Sequence, residues 1–260
     1  MNNNKIEEHQ ATIIDQFSRQ AVPFSVQQAH LKESFLNLLL EMSGVGPEDE
    51  VLDVACGPGI VACAFAARAK HVSGIDLTPA MIARAKEIQR EKGLANLTWH
   101  IGNVLPLPFP DAPFSIVVSR YSFHHFPDPQ AVFAEMVRVC RPGGTVLLAD
   151  VTMAPEKRDF FDLEEKLRDP SHTRSLTPAE FLEMAEEMNL LNIKTSFVKS
   201  ERNLETHLKA SFPNPGDEEK IRQLFREDIG QDNLGLGAHW QGDQIHFAYP
   251  IIILAGHKSA

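Results

Sequence analysis

A short apolar segment followed at once by glycines constrains this chain more than any other feature. Residues 51–55 are expected to form a strand that carries one acid, Asp53, and Gly57-Pro58-Gly59 leads into an alanine-rich helical stretch over 60–69. A strand, a glycine turn and a helix in this order place a ligand against the helix N-terminus, where unpaired N–H groups attract a carboxylate or phosphate. A tight turn without a ligand is the alternative at this stage.

Strands and helices then alternate along the chain. The apolar segments predict a parallel sheet covered on both faces, because they are almost unbroken and helical segments separate them. Two later strands, over 193–198 and 245–254, bring the prediction to a mostly parallel, Rossmann-like sheet of seven strands, with helices on both faces and a helical cap insertion. The other predicted strands are 71–75, 97–101, 114–119 and 145–149, and the helices between them are 79–92 and 130–139.

The chain has no internal repeats or low-complexity linkers, which favours one domain over residues 1–260. Within it we expect an N-terminal helical segment over 8–43 and a cofactor-binding core over 45–150. Two cap segments follow, over 154–176 and 200–240. The polar part of the first, 168–174, is interpreted as a solvated loop.

The charge and composition exclude several classes of function. The 260 residues carry a formal net charge of −10 and no basic stripe, which argues against a nucleic-acid binder. No apolar run approaches the ~20 residues of a membrane span, and the first residues lack a signal core. Three scattered cysteines fit a reducing compartment, and no spacing indicates a metal site. We therefore expect a cytoplasmic monomer or homodimer without metal or nucleic acid.

Two ligand classes compete for the glycine loop. Gly57-x-Gly59-x-x-Ala62, with Asp76 at the end of the second strand, also fits a dinucleotide fingerprint. Asp53 favours the other class, because a carboxylate beside the loop repels a pyrophosphate but pairs with the α-ammonium group of an amino acid such as methionine.

Five motifs in order resemble class I S-adenosylmethionine-dependent methyltransferases. They lie at residues 53–59, 74–81, 102–104, 119–126 and 141–144. The closest likeness is to the ubiquinone/menaquinone-biosynthesis-like branch of small-molecule enzymes, although its full signature is not evident outside the cofactor motifs. The resemblance implies that S-adenosyl-L-methionine is the cofactor.

The resemblance also assigns roles to individual positions. Asp76 is expected to hold the ribose, Leu77 and Met81 to pack beside adenine, and Asn103 and Val104 to bind its edge. Asn103 departs from the commoner Asp, but an amide oxygen still accepts a hydrogen bond. The complete predicted cofactor set is Phe24, Asp53, Ala55, Cys56, Gly57, Gly59, Asp76, Leu77, Met81, Gly102, Asn103, Val104, Ser119 and Arg120.

Methyl transfer from a sulfonium needs alignment and exclusion of water, and needs a base only where the acceptor loses a proton. His124 and His125 follow the fourth strand and are the candidate bases, each weighed against a structural role; His172 is a weaker one. Arg168 or Arg174 would bind an acidic group of the acceptor.

Aromatic and apolar residues of the cap segments predict a small apolar or aromatic acceptor, although most of them are better explained as cap core. These residues are Phe160, Phe161, Leu163, Phe212, Phe225, Trp240 and Phe247. The alternatives are an NAD(P)-dependent oxidoreductase and a catalytically silent S-adenosylmethionine-binding module. The acceptor molecule and its methylated atom are left open.

Overall fold

The computed structural model describes residues 3–29 and 33–260, and only the backbone of residues 3, 4, 24 and 26–29. Eight strands form one sheet. In chain order they are β1 (Glu50–Val54), β2 (His71–Asp76), β3 (Leu97–Ile101), β4 (Phe114–Arg120), β5 (Cys140–Val151), β6 (Leu191–Asn203), β7 (His239–Gln241) and β8 (Gln244–His257).

The strand order across the sheet is β3-β2-β1-β4-β5-β8-β6, and the short β7 pairs with β8 outside this path. Pairs among the first five strands are parallel, whereas β8 runs antiparallel to both β5 and β6. The mostly parallel, Rossmann-like fold is therefore confirmed, with seven strands on the main path and a small hairpin strand added.

Both faces of the sheet are buried at β1, β2, β4 and the central part of β5, which explains why these strands are apolar without alternation. The strands β3, β6 and β7 are more exposed. In β1, Val51 packs into one hydrophobic cluster, while Leu52 and Val54 pack into the cluster on the opposite face. Each of these three side chains is at most 1% exposed. The prediction of two covered faces is borne out at the strand that leads into the glycine loop.

Helices cover the sheet, and several of them begin at local signals present in the sequence. Pro79, Pro129 and Pro178 occupy first helical turns, and Thr177 forms a capping box with Glu180. The described residues include no helix with the length and apolarity needed to cross a membrane. The α-helices are α1 (Asn3–Ala29), α2 (Glu33–Ser43), α3 (Ile60–Ala66), α4 (Pro79–Glu91), α5 (Pro129–Val139), α6 (Arg158–Arg168), α7 (Pro178–Glu187), α8 (Leu204–Ser211) and α9 (Asp217–Asp228).

The segment after β5 differs from the expectation. It contains the amphipathic helix α6, and the solvated-loop interpretation of 168–174 is wrong for much of the stretch. Asp169, Ser171 and His172 are at most 4% exposed. Thr173 ties the segment down, since its N–H and hydroxyl both donate to the carbonyl of His124, at 2.8 and 2.7 Å. Polar residues are buried here because each finds a partner.

Candidate functional site

A cavity of about 490 Å³ opens at the carboxyl ends of β1, β2 and β4. The order of strands reverses between β1 and β4, the position where open α/β sheets bind ligands. One face of α1 also contributes to its wall. The lining residues are Ile6, His9, Gln10, Ile13, Phe17, Asp53, Ala55, Cys56, Gly57, Pro58, Ile60, Val61, Asp76, Leu77, Met81, Asn103, Val104, Leu105, Arg120, Tyr121, Ser122, His125, Phe126, Pro127, Asp128 and Val132.

The glycine loop is held against β2 by backbone hydrogen bonds. Gly57 has a φ of +51°, and its N–H donates to Oδ2 of Asp76 at 2.8 Å. The N–H of Cys56 donates to the carbonyl of Ile75 at 3.0 Å. The positive φ turns the chain sharply after β1, so the loop backbone lies on the cavity wall rather than behind side chains.

Asp76 ends β2 and lies on the cavity wall. Its Oδ1 accepts a hydrogen bond of 2.8 Å from the N–H of Thr78, in addition to the bond from Gly57. Burial raises the pKa of the Asp76 carboxyl, and the two backbone hydrogen bonds oppose that rise. The carboxylate is therefore fixed at the strand end, with further lone pairs available to a ligand.

Asp53 lies one residue inside the end of β1 and is 1% exposed. Its Oδ2 accepts a hydrogen bond of 2.9 Å from the N–H of Ala62 in α3. Burial raises the pKa of Asp53 to about 7, and the hydrogen bond and the charge of Arg120 act in the opposite direction. A carboxylate this poorly solvated is stabilised when a cation approaches it from the cavity.

Most of the predicted cofactor residues come together on the cavity wall. Asn103 is partly engaged by its own turn, because its Oδ1 accepts a hydrogen bond of 3.2 Å from the N–H of Leu105. Phe24 lies outside the described side chains. The predicted residues that line the cavity are Asp53, Ala55, Cys56, Gly57, Asp76, Leu77, Met81, Asn103, Val104 and Arg120.

Three other predicted cofactor residues are absent from the lining and have packing roles. Gly59, with φ +76°, faces the Trp99 ring so closely that an added Cβ would lie 2.5 Å from Cη2. Ser119 donates from its hydroxyl to the carbonyl of Val54 at 2.7 Å, below the cavity. Gly102 donates from its N–H to the carbonyl of Asp76 at 3.0 Å. These positions shape the site through the backbone.

Of the three candidate histidines, only His125 lines the cavity. His124 pairs through Nδ1 with Oδ1 of Asp150 at 2.5 Å. Burial lowers the pKa of His124, but the Asp150 carboxylate outweighs this effect and holds the pKa above its usual value. His172 contacts Oδ1 of Asp162 through Nε2 at 2.8 Å and lies behind His124, with ring centroids 5.7 Å apart.

The two arginines proposed to bind an acidic acceptor both pair within the protein. Arg168 is 9% exposed and forms an ion pair with Glu165 in α6, and Arg174 binds Glu180 at 2.7 Å. Neither lines the cavity. The structure therefore supplies no reason to assign them to the acceptor.

The cap aromatics do not form the roof either. Phe161, Phe225 and Phe247 are 1% exposed and belong to the hydrophobic core, which agrees with the interpretation that most of these aromatics are core residues. The apolar cover comes instead from α1, a helix of which only Phe24 was predicted from the sequence to lie at the site. Its wall residues recur at helical spacing and are Ile6, His9, Gln10, Ile13 and Phe17. That spacing was the available signal.

Hydrogen bonds anchor α1 above the cavity. The side-chain amides of Gln16 and Gln20, both at most 2% exposed, donate to the carbonyl of Ser211 at 2.6 and 2.9 Å. Farther along α1, Ser25 accepts a hydrogen bond of 3.0 Å from Nε of Arg84 in α4. The roof of the cavity is thus tied to the cap on one side and to the core on the other.

Comparisons with known proteins agree with this geometry. A family model described as a methyltransferase domain matches residues 51–144. The uncharacterized methyltransferase YcgJ of Bacillus subtilis is 29% identical over 93% of this chain and 97% of its own. Its crystal structure superposes with a TM-score of 0.81 at 26% identity, covering 88% of this chain and 100% of the other.

Two relatives with a named acceptor match over a shorter part of the chain. The 27-O-demethylrifamycin SV methyltransferase of Amycolatopsis mediterranei is 30% identical over 55% of this chain and 54% of its own. The arsenite methyltransferase of Halobacterium salinarum is 34% identical over 42% of this chain and 29% of its own. Their acceptors differ widely, so a match in the core does not specify an acceptor.

The cavity also fits S-adenosylmethionine by its chemistry. It offers Asp76 to hydroxyl groups, the buried carboxylate of Asp53 to an ammonium group, and the apolar side chains of Leu77 and Met81 to a flat ring. The fold, the methyltransferase-domain match over residues 51–144 and the full-length similarity to YcgJ together support a class I S-adenosylmethionine-dependent methyltransferase.

Proposed function

We propose that this enzyme transfers a methyl group to a small apolar or aromatic metabolite inside the cavity under α1. One observation carries the proposal: the cavity lined by the predicted cofactor residues is also lined by apolar side chains outside that set. These apolar side chains include Ile6, Ile13, Phe17, Phe126 and Val132. Apolar surface with a few polar groups is typical of small-molecule sites.

Within this proposal the cofactor residues are those that line the cavity. Asp76 would accept hydrogen bonds from the ribose, and Asp53 would pair with the α-ammonium group of the methionine tail. Leu77 and Met81 would enclose the adenine, with the backbone N–H of Val104 at the ring edge. Bound S-adenosylmethionine supplies an electrophilic methyl group on sulfur, whose transfer requires no protonation of the leaving group.

The protein's contribution to the reaction is alignment, exclusion of water and the placement of one proton acceptor. Among the three candidate histidines only His125 lies on the cavity wall, where its ring meets the Phe17 ring edge to face with centroids 5.0 Å apart. His9 also lines the cavity, and its Nε2 lies 2.8 Å from the carbonyl oxygen of His125. His124 and His172 would act behind His125, by electrostatics and packing, since each is paired with a buried carboxylate. His125 is therefore the preferred candidate for contact with the acceptor.

The cellular context forms part of the same proposal. Three free, buried cysteines, Cys56, Cys63 and Cys140, suit a reducing cytoplasm. The net charge of −10 agrees with a function that does not involve nucleic acid, and a monomer or homodimer stays a prediction. The quinone-biosynthesis-like branch stays a prediction, and the oxidoreductase and the silent module are not favoured by the family match.

The test uses the whole protein and methyl-labelled S-adenosylmethionine. Calorimetry should first give saturable binding of S-adenosylhomocysteine and no comparable heat with NAD(H). The enzyme is then incubated with a cell extract divided by dialysis into a metabolite fraction and a macromolecular fraction. Label should enter the metabolite fraction and partition into an organic solvent.

His125→Gln is the matched variant, because it should bind S-adenosylhomocysteine normally and transfer less label. Label confined to the macromolecular fraction would contradict a small acceptor. Label in neither fraction, despite normal cofactor binding, would support the silent module instead.

A further inference from the structure

His125 is connected through a serine to a buried carboxylate that the reaction has not yet involved. Nδ1 of His125 lies 3.1 Å from the carbonyl oxygen of Ser171 and 3.1 Å from its hydroxyl oxygen. The Ser171 hydroxyl lies 2.6 Å from Oδ1 of Asp169, and the Ser171 N–H donates to the same oxygen at 2.9 Å. His125, Ser171 and Asp169 are 6%, 0% and 1% exposed.

The direction of these hydrogen bonds follows from counting protons. A serine hydroxyl has one proton, and Ser171 donates it to the Asp169 carboxylate. Toward His125 the hydroxyl oxygen is then an acceptor, as is the Ser171 carbonyl. Nδ1 of His125 must therefore carry the ring proton, because both of its partners only accept.

The remaining ring nitrogen then has a free lone pair. Burial lowers the pKa of His125 to about 3, and the charges of His124 and His172 act in the same direction while Asp169 opposes them. The ring is neutral at physiological pH, so Nε2 is unprotonated. In the described part of the chain Nε2 has no hydrogen-bond partner, and His125 is a wall residue of the cavity.

We propose that Asp169 and Ser171 are positioning residues that hold His125 as its Nδ1–H tautomer, so that Nε2 selects acceptors whose methylated atom carries a proton. This inference rests on the proposed function. The acceptor class is a hydroxyl compound, or an amine with an N–H, on an otherwise apolar skeleton. A tertiary amine or a thioether would lack the donor that Nε2 requires.

The proton balance of the step is simple. As the bond from the acceptor oxygen to the methyl carbon forms, the sulfur–methyl bond breaks and sulfur keeps its electron pair. The acceptor O–H proton passes to Nε2, and the resulting imidazolium is stabilised through Ser171 by the Asp169 carboxylate. A base this weak suffices because a methylated hydroxyl is strongly acidic until it loses its proton.

A second Asp–Ser–His group in the same segment provides a matched control. Asp162 accepts from the hydroxyl and the N–H of Ser175, at 2.9 and 2.8 Å, and contacts His172. Ser175 is 0% exposed, like Ser171, but neither Ser175 nor His172 lines the cavity. Ser175→Ala therefore removes a comparable buried hydrogen bond without touching His125.

The experiment combines nitrogen-15 NMR of the histidine rings with methyl-transfer assays on the metabolite fraction. His125→Gln identifies the His125 signals. In the wild type, Nδ1 should be protonated and Nε2 should not. Asp169→Ala frees the Ser171 hydroxyl to donate to Nδ1, in competition with the Ser171 carbonyl that still accepts there, so part of the proton density should move to Nε2. Turnover should fall roughly 10- to 100-fold while the affinity for S-adenosylhomocysteine stays unchanged.

Asp169→Asn keeps an oxygen in the place of Oδ1 and should restore the tautomer and much of the turnover. A wild-type His125 protonated on Nε2 would overturn the proposal without any variant, even if Asp169→Ala does not fold. Equal turnover losses in Asp169→Ala and Ser175→Ala would overturn it as well. Absence of any labelled metabolite with the wild type refutes the proposed function instead. The NMR measurement still decides whether His125 is held as its Nδ1–H tautomer.

Discussion

The carboxylate of Asp53 in β1 accepts a hydrogen bond of 2.9 Å from the backbone N–H of Ala62 in α3, across the glycine loop. This single bond positions a buried negative charge at the cavity wall. Asn at this position keeps an acceptor oxygen for Ala62 but loses the charge. Asp53→Asn should therefore weaken S-adenosylhomocysteine binding by about 1–3 kcal/mol, the range of hydrogen bonds to charged groups.

The same variant should stabilise the ligand-free protein. Since the folded pKa of Asp53 is raised, the folded state disfavours the charged form, and this cost grows from the unfolded pKa upward until it is complete above about pH 7. Melting temperatures at pH 8 should rise in Asp53→Asn, with exposed Asp243→Asn as the control. Unchanged affinity in the calorimeter would remove Asp53 from the cofactor site.

Cofactor affinity should depend on pH through Asp53. Below its folded pKa of about 7 the carboxyl binds a proton, which must leave before the group pairs with an ammonium ion. The affinity for S-adenosylhomocysteine should therefore rise by up to about tenfold per pH unit between pH 5.5 and 7, then level off. Calorimetry in buffers of different ionisation enthalpy measures both the slope and the released proton. A slope that persists in Asp53→Asn would assign the proton elsewhere.

Asp76 should contribute to stability as well as to binding. Asp76→Ala leaves the N–H groups of Gly57 and Thr78 without their acceptor, at about 1–3 kcal/mol for each buried group. The variant should bind S-adenosylhomocysteine more weakly and also unfold at lower urea. Asp76→Asn retains one acceptor oxygen and should recover part of the stability, and equal stability of all three proteins would contradict this account.

Gly59 should prove to be a packing residue. Gly59→Ala forces a Cβ to within 2.5 Å of the Trp99 ring at a φ of +76°. Gly93→Ala is the matched control, because Gly93 has a φ of +64° and an added Cβ there would meet nothing within 4 Å. Both should lose about 1–2 kcal/mol for the left-handed backbone, and Gly59→Ala about 1–3 kcal/mol more for the clash. Equal losses in urea denaturation would show that the Trp99 ring moves away freely.

Asp150 should be the costliest carboxylate to remove behind the cavity. It is 0% exposed, pairs with His124, and accepts hydrogen bonds of 2.8 and 2.7 Å from the N–H groups of Ser122 and Phe123. Asp150→Ala should lower the free energy of unfolding by about 3–5 kcal/mol. Asp111→Asn, at an exposed pair with Arg138, should change it little.

The pH profile distinguishes this pair from simple packing. The pKa of Asp150 is lowered and that of His124 is raised in the folded protein. The contribution of the pair should be complete between the unfolded values of 3.8 for Asp and 6.5 for His. It should decline below that window, and above it as pH passes the folded pKa of His124. A stability difference between wild type and variant that does not vary with pH would contradict the ion pair.

Local patterns were enough to predict the centre of the sheet, because β1, β2 and β4 are buried on both faces and carry nearly continuous apolar runs. The carboxylates Asp53 and Asp76 were predictable for a related reason, since each lies at a fixed place relative to a strand end. Their positions follow from short-range chain geometry, and both residues line the cavity.

Contacts between distant segments could not be predicted in the same way. His125 contacts Ser171, which is 46 residues away along the chain, and Gln16 contacts Ser211, which is 195 residues away. No periodicity encodes such pairs, so the polar segment around residue 171 was interpreted as solvated. Gly59 follows β1, and its contact Trp99 lies in β3, two strands away in the sheet. The local sequence gives no sign of this contact, so Gly59 was assigned to the ligand.

The place of β8 in the sheet has a consequence for biosynthesis. It follows β6 in the chain, yet it is inserted between β5 and β6 and hydrogen-bonds to both. During translation β6 is synthesised before β8, the strand that connects it to the rest of the sheet. Helices α8 and α9 are synthesised between the two strands. A nascent chain halted before β8 exposes the edges of two strands at once. The edges of β5 and β6 therefore stay open to wrong pairing until β8 has been synthesised.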